Sequence, residues 1–475
     1  MKNMTATPIK FILCLSLFLS TISWTGSRSN AAAPSRAKVA RTLVVSLDGL
    51  DFRYLKNADE YGLKIPNLRR LMANGISAGV YGTFPSLTYP AHTTIITGVE
   101  PDRHGIYGNG PIEPLDRPTG DLIFYASNIK ADTLWDAARR KGLSVGSVSW
   151  PISLGAGDFN LPEIFKGGNR ALQNLALTKI LTRPKGLVDE VTKHDSALYA
   201  QMTADEQDDL RSRFAEYIIE FKRPELMLVH LFDFDHFQHD VGPFEPESIA
   251  ILEKLDGYLG RMLAAAERAG TLDQTTVFVV SDHGFLPIKW QINPGVALVR
   301  AGLITIRDDR DAKGKVRTVV TDWKVMPFVT AASCALILKD PNDHASARKA
   351  LDAMRELETE DGRQTPGRAD GLFTILTPPQ IRARHSNTRA ALMLEANEGY
   401  TFGTNLSGAV TVESKQHGQH GYFPERYEAS FVASGAGVSR RGVRSQIRMV
   451  QIGPTIAHVL NMKLRDARAA PVSLK

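Results

Sequence analysis

Cysteine is nearly missing from this chain: Cys14 and Cys334 are the two it has among 475 residues. That scarcity excludes a disulfide scaffold. Charge of one sign is also short. The 57 basic and 51 acidic residues leave a formal charge of +6, weak evidence for a nucleic-acid partner on a chain this long. No repeat and no low-complexity block is visible. One N-terminal apolar run is too short to be a comfortable membrane span, and no second apolar stretch reaches membrane length. What remains is ordinary: 43% hydrophobic and 23% charged residues, a globular composition that excludes a disordered or collagenous chain. A prior of roughly 150 residues per domain suggests about three domains, but large α/β domains break that prior.

The N-terminus carries a processing pattern. Lys2 and Lys10 precede the apolar run Phe11-Ile-Leu-Cys-Leu-Ser-Leu-Phe-Leu19, and small residues follow at Ser29-Asn-Ala-Ala-Ala33. A basic start, a short apolar stretch and a small-x-small site describe a secretory signal peptide. Pro34 disfavours a cut after Ala33, so the expected cut follows Ala31. Removing residues 1–31 takes away Lys2, Lys10 and Arg28 and no acid, which leaves 444 residues, a charge of +3 and Cys334 alone. Cys334 lies in the apolar run Ala331-Ala-Ser-Cys-Ala-Leu-Ile-Leu338 and reads as a buried, inert thiol. The pattern implies a periplasmic or secreted protein without a membrane span, with residues 32–40 as a short leader.

From residue 41 onward, strands and helices alternate. Arg41-Thr-Leu-Val-Val-Ser-Leu-Asp48 reads as a buried strand ending in an acid. Residues 143–150, 226–232 and 276–280 are further apolar runs of strand length. Ile249, Leu252, Leu255, Leu259 and Leu263 fall at three- and four-residue steps, predicting a helix over 247–263. The alternation predicts an α/β fold, with a mostly parallel central sheet and helices on both faces. Residues 286–410 hold many turn signals and read as a smaller cap or insertion within a catalytic domain spanning 41–475.

In such sheets, ligands bind at the carboxyl ends of the strands. Acids and histidines recur there: Asp48 in Leu47-Asp-Gly-Leu-Asp51, Asp235 and His239 in Asp235-His-Phe-Gln-His-Asp240, Asp282 and His283 in Ser281-Asp-His-Gly284, and His420 in His417-Gly-Gln-His-Gly-Tyr422. Each fragment alone has a bland reading as a loop cap, a common turn or an exposed loop. Together, three carboxylates and three histidines suit borderline divalent metals, zinc above all. Six ligands suit two ions, and two ions roughly 4 Å apart stabilise attacking and leaving oxygens in phosphoryl transfer. Thr88, two residues before Pro90, sits where a helix is expected to start, so its hydroxyl would feel the positive end of the helix dipole. The competing reading is that Thr88 or Ser86 caps that helix.

With these motifs in order over roughly residues 41–470, the chain resembles the alkaline-phosphatase superfamily, and within it the nucleotide pyrophosphatase/phosphodiesterase branch. The motifs are Leu47-Asp-Gly-Leu50, Phe84-Pro-Ser-Leu-Thr-Tyr-Pro-Ala-His92, Thr97-Gly98, His104-Gly-Ile-Tyr-Gly-Asn109, Asp235-x-x-x-His239 with Gly242-Pro243, Ser281-Asp-His-Gly284 and Gly418-Gln-His-Gly-Tyr422. The resemblance implies an alkaline-phosphatase-like fold and two Zn²⁺ per chain, with other divalent metals left open. It implies one zinc on Asp48, Thr88, Asp282 and His283, and the other on Asp235, His239 and His420. It implies Thr88 as nucleophile, a phospho-threonine intermediate released by water, and Asn109 as donor to a non-bridging phosphate oxygen.

Two departures matter. Nucleotide-cleaving members often carry Phe-Pro-Asn after the threonine, where this chain has Tyr89-Pro90-Ala91. Tyr89 is therefore a candidate to stack on a substrate base, or a packing residue at the helix start. The threonine-type phosphomonoesterases carry a lysine and an arginine where this chain has Trp150-Pro-Ile-Ser-Leu-Gly155, which favours a diesterase. The expectation is a phosphodiesterase or nucleotide pyrophosphatase acting on a small phosphodiester, a nucleotide among the candidates. A phosphomonoesterase, a phosphonoacetate hydrolase and a non-catalytic metal-binding protein stay open as alternatives. Of the remaining groups, Asp51, His92 and His104 read as hydrogen-bonding supports, His230 and His236 as structural residues or supports behind the ligands rather than ligands, and His417 as the weaker competitor of His420.

Overall fold

Apolar residues of the central strands alternate between two cores, which fixes the architecture. Leu43, Val45 and Leu47 join one buried cluster and Val44 joins the other. In the same way Val277 and Val279 separate from Phe278 and Val280. A strand with period-two side chains that are apolar on both faces must be covered on both faces. On one side lies the helix Pro246–Arg268, whose Leu252, Leu255, Leu259 and Leu263 enter the first core. On the other lie the helix Thr88–Thr97, through Ile95 and Ile96, and the helix Ile452–Val459.

The computed structural model describes residues 40–112, 122–166, 169–170, 175–198, 207–310, 314, 316–362 and 371–475. The signal peptide, its cut and nearly all of the leader fall outside these residues. No helix among them is long and apolar enough to cross a membrane.

The central sheet has nine strands. Arg41–Leu47 lies at its centre, parallel to Leu226–Leu231 on one side and to Thr275–Val280 on the other. Val145–Val148 and Phe159–Leu161 continue the parallel half. Ala429–Gly435 runs antiparallel to both of its neighbours, Thr275–Val280 and Ile76–Tyr81. The sheet is therefore mixed, mostly parallel with one reversed strand, and the chain has an α/β fold.

Between residues 286 and 427 a separate apolar cluster forms. It lies under a four-stranded antiparallel sheet of Val325–Thr330, Ser333–Leu338, Ala390–Ala396 and Phe373–Leu376. Cys334 is fully buried in that sheet, and burial pushes its thiol pKa up. The strand Leu286–Ile292 follows directly from His283 and pairs antiparallel with Gly418–Gln419, just before His420. That pairing brings two histidines 137 positions apart in the sequence to one place.

Candidate metal centre and active site

Asp48 closes the central strand, and its N–H donates to the Leu231 carbonyl at 2.9 Å. Gly49 follows with φ +71°, and a Cβ there would lie 2.7 Å from the Phe285 ring. Only glycine fits both the left-handed backbone and the close approach. The turn points the Gly49 N–H at Asp282 Oδ1, 3.1 Å away. Asp282 and His283 leave the neighbouring strand end, as the sequence predicts.

Asp235 and His239 differ from expectation in context. They do not sit in a turn: they lie one turn apart on a helix, Asp233–Val241, and so share a face. Asp233 and Asp235 favour its positive N-terminus. Gln238 ties this helix to the Asp48 turn, donating to the Gly49 carbonyl at 3.1 Å and accepting from the Tyr54 hydroxyl at 3.1 Å. Sequence reading passed over Gln238, which carries no motif signal of its own.

Six of the seven expected ligands, all but Thr88, converge as two sets, Asp48 with Asp282 and His283, and Asp235 with His239 and His420. Within each set the candidate ligand atoms lie within 4.8 Å of one another. The rings of His283 and His420 stack at 3.6 Å and 9°, and Asp235 Oδ1 reaches both sets, 3.6 Å from His420 Nε2 and 4.0 Å from His283 Nε2. His417, the competing histidine, is exposed and stands outside both sets.

Most members are gripped by one polar atom and bare at another. His420 Nδ1 bonds the Ser86 carbonyl at 3.0 Å, His239 Nδ1 the Gly418 carbonyl at 3.0 Å, and His283 Nδ1 the Gly284 carbonyl at 3.3 Å. An N–H held at Nδ1 leaves the Nε2 lone pair for a cation. Asp48 Oδ2 is bonded to His230, and Asp282 Oδ1 to Gly49. Meanwhile Asp48 Oδ1, Asp282 Oδ2, Asp235 Oδ1 and His283 Nε2 are buried with no hydrogen-bond partner.

Buried polar atoms left unpaired are costly and rare. Burial, and then the charges of Asp282 and Asp235, push the Asp48 carboxyl well above its ordinary range. Burial pushes Asp282 up to about 6 and His420 down to about 4. Among the described residues, the ion-pair partners of these three acids are all histidines. Facing, unpaired carboxylate and imidazole atoms with no Lys or Arg paired to them among the described residues fit divalent cations.

Thr88 is the first residue of the helix Thr88–Thr97. The capping alternative does not hold, because the N-cap is Leu87 and no side chain caps the helix there. The Thr88 carbonyl accepts from His92 Nδ1 at 2.7 Å, and that nitrogen lies 3.6 Å from Asp282 Oδ2. Asn109, remote in sequence, accepts the Tyr89 N–H at 3.0 Å. Since an N–H must meet an oxygen, this bond fixes the Asn109 amide with its NH₂ group turned elsewhere.

Of the two readings open for Tyr89, its placement favours packing. Its ring is 2% exposed and packs with Ile106 and Ile152, so it has no free face for a base. Of the supports, Asp51 accepts from Arg53, and His104 Nε2 pairs with Thr94 Oγ1 at 3.0 Å. His236 is exposed, 3.6 Å from Asp240.

A model of the type I phosphodiesterase / nucleotide pyrophosphatase family matches residues 42–423. The chain belongs to this family. Human ectonucleotide pyrophosphatase/phosphodiesterase family member 1 is 25% identical over 260 residues, 53% of this chain and 24% of that protein. Human family member 7 is 23% identical over 303 residues, 62% of this chain and 58% of that protein. The match thus spans about a quarter of member 1 and somewhat over half of member 7. Among solved structures, human ectonucleotide pyrophosphatase/phosphodiesterase 5 superposes with a TM-score of 0.59 at 17% identity, over 90% of this chain and 97% of that one. An inactive murine form of the same protein, in complex with AMP, gives 0.59 at 18%, over 91% and 97%. At these identities the structural likeness establishes the fold.

Proposed function

We propose that this chain is a metal-dependent phosphodiesterase or nucleotide pyrophosphatase. In this reading two zinc ions are held by Asp48, Thr88, Asp282 and His283, and by Asp235, His239 and His420. Family membership and the AMP bound by a structural neighbour support a small nucleotide-like phosphodiester as substrate. The observation that carries the reading is the set of orphaned, mutually facing ligand atoms on Asp48, Asp282, Asp235 and His283. Bound ions would supply Lewis acidity, lowering the pKa of a hydroxyl or water and offsetting charge on the phosphate.

The protein's own part follows from placement. The helix start at Thr88 favours the alkoxide form of its hydroxyl. Thr88 Oγ forms a bond to phosphorus as the ester oxygen leaves with its electron pair and takes up a proton. Water then cleaves the phospho-threonine. The Asn109 NH₂ group donates to a non-bridging oxygen, a neutral stabilisation suited to a singly charged diester. Trp150-Pro-Ile-Ser-Leu-Gly155, standing where the threonine-type monoesterases carry a lysine and an arginine, supports a diester over a dianionic monoester. The N-terminal apolar pattern supports export to the periplasm or the medium.

The deciding experiment compares wild-type and Thr88→Ala protein, zinc-loaded, on an aryl phosphodiester, an aryl phosphomonoester and phosphonoacetate. The diester should be turned over fastest. Thr88→Ala should abolish that turnover while keeping wild-type zinc content. Faster monoester or phosphonate turnover would transfer the assignment to those classes. Zinc-bound protein inert on all three would leave a binding protein.

A further inference from the structure

Bonded to the second oxygen of Asp48 stands a buried polar chain that the proposed chemistry does not use. His230 lies in the neighbouring strand, beside Ser46 in the pairing register, and is fully buried. Its Nε2 is 2.9 Å from Asp48 Oδ2. Its Nδ1 is 3.1 Å from the Ser149 carbonyl and 3.7 Å from Glu163 Oε2. Glu163 arrives from beyond the strand Phe159–Leu161, is 9% exposed, and its Oε2 has no hydrogen-bond partner. The His92 ring, which also bonds the Thr88 carbonyl, packs edge-on at 4.4 Å against His230.

We infer that Glu163 and His230 are positioning residues that hold Asp48 as a one-oxygen metal ligand. Both ring nitrogens of His230 face oxygen acceptors, so both are placed to donate. The Nε2 bond occupies Asp48 Oδ2 and leaves Oδ1 as the free oxygen, turned toward His283 Nε2 at 3.4 Å. At 3.7 Å Glu163 is too far for a direct hydrogen bond but close enough to act by charge. It keeps the ring oriented between two carboxylates in a site with little screening. Without Glu163, the Nδ1 edge of the ring is held by the Ser149 carbonyl alone, and the ring is fixed less firmly against Asp48. Without His230, Asp48 would be free to rotate and offer either oxygen, losing the preorganisation that makes it a ligand. No contact of either residue with substrate is required.

This inference rests on the two-ion reading proposed above, and one titration separates the two. Metal-free wild-type protein is titrated with zinc against a chromophoric chelator, alongside His230→Phe and Glu163→Gln, with melting curves for all three. Wild-type protein should take up two ions. His230→Phe should weaken one binding step by roughly 10–100-fold, the usual effect of losing a partner that orients a metal ligand. The other step should stay within about threefold. Glu163→Gln should weaken the same step by a smaller factor, and Glu163→Asp should recover part of it. Two wild-type ions with both steps unchanged in folded His230→Phe and Glu163→Gln would overturn the positioning role alone. Equal weakening of both steps would overturn it as well. No zinc uptake by wild-type protein would overturn the metal reading itself. Should His230→Phe fail to fold, Glu163→Gln and Glu163→Asp carry the same comparison, since neither changes buried ring volume.

Discussion

Asn109 offers a way to separate catalysis from stability with one atom. Its Oδ1 accepts the N–H of Tyr89, the second residue of the Thr88–Thr97 helix. That helix has no side-chain cap of its own, so Asn109 satisfies one of its orphan donors from outside. Its NH₂ group is then the proposed phosphate donor. Asn109→Ala removes both functions. Losing a cap should cost about 0.5–2 kcal/mol of stability. Losing the donor should slow the chemical step by about 10²–10³.

Asn109→Asp divides the two functions. The carboxylate still accepts the Tyr89 N–H, and a negative charge at a helix N-terminus is worth about 0.3–1 kcal/mol in its favour. It has no N–H to donate, and it brings charge toward an anionic substrate. Melting temperature should therefore fall for Asn109→Ala and hold for Asn109→Asp, while single-turnover rates on an aryl phosphodiester fall in both by at least tenfold. If Asn109→Asp reacts at the wild-type rate, the donor role is wrong. If Asn109→Ala alone is slow, the residue is only a cap.

Three further outcomes are expected. Asp282→Asn keeps the oxygen that accepts from Gly49 but removes the charge, so metal analysis should find about one zinc fewer per chain; unchanged content would remove Asp282 from the ligand set. Gly418→Ala places a Cβ 2.3 Å from the Gln238 carbonyl, forcing the strand before His420 away from the helix of Asp235 and His239. Loss of zinc from that set and destabilisation of about 1–3 kcal/mol in chemical unfolding should follow, and wild-type values for both would show that the strand can yield. Cys334, fully buried in its sheet, should resist alkylation in the folded protein and react once the chain is unfolded; rapid labelling under native conditions would contradict its burial.

The candidate ligands were legible because strand ends are where a parallel sheet collects its chemistry, and Asp48, Asp282 and His283 follow that rule directly. The order of motifs then supplied His420, whose placement depends on a pairing between Leu286–Ile292 and Gly418–Gln419 that no local pattern predicts. The reversed strand Ala429–Gly435 was not legible, since a run of apolar residues buried on both faces carries no record of its direction. Glu163 was missed for a related reason: a lone acid in Leu161-Pro-Glu-Ile-Phe165 has neither periodicity nor a motif, and only the fold sets it beside His230.

Tyr89 was left open between a base platform and a packing residue, and its burial favours packing. Thr88 is the first helical residue, and consecutive residues on an α-helix point about 100° apart. The side chain after Thr88 therefore points in a different direction from it, and it packs with Ile106 and Ile152. An aromatic residue directly after the proposed nucleophile is not by itself a base platform. What decides is whether the helix begins before or after the threonine, and the N-cap Leu87 puts that boundary one residue ahead of it.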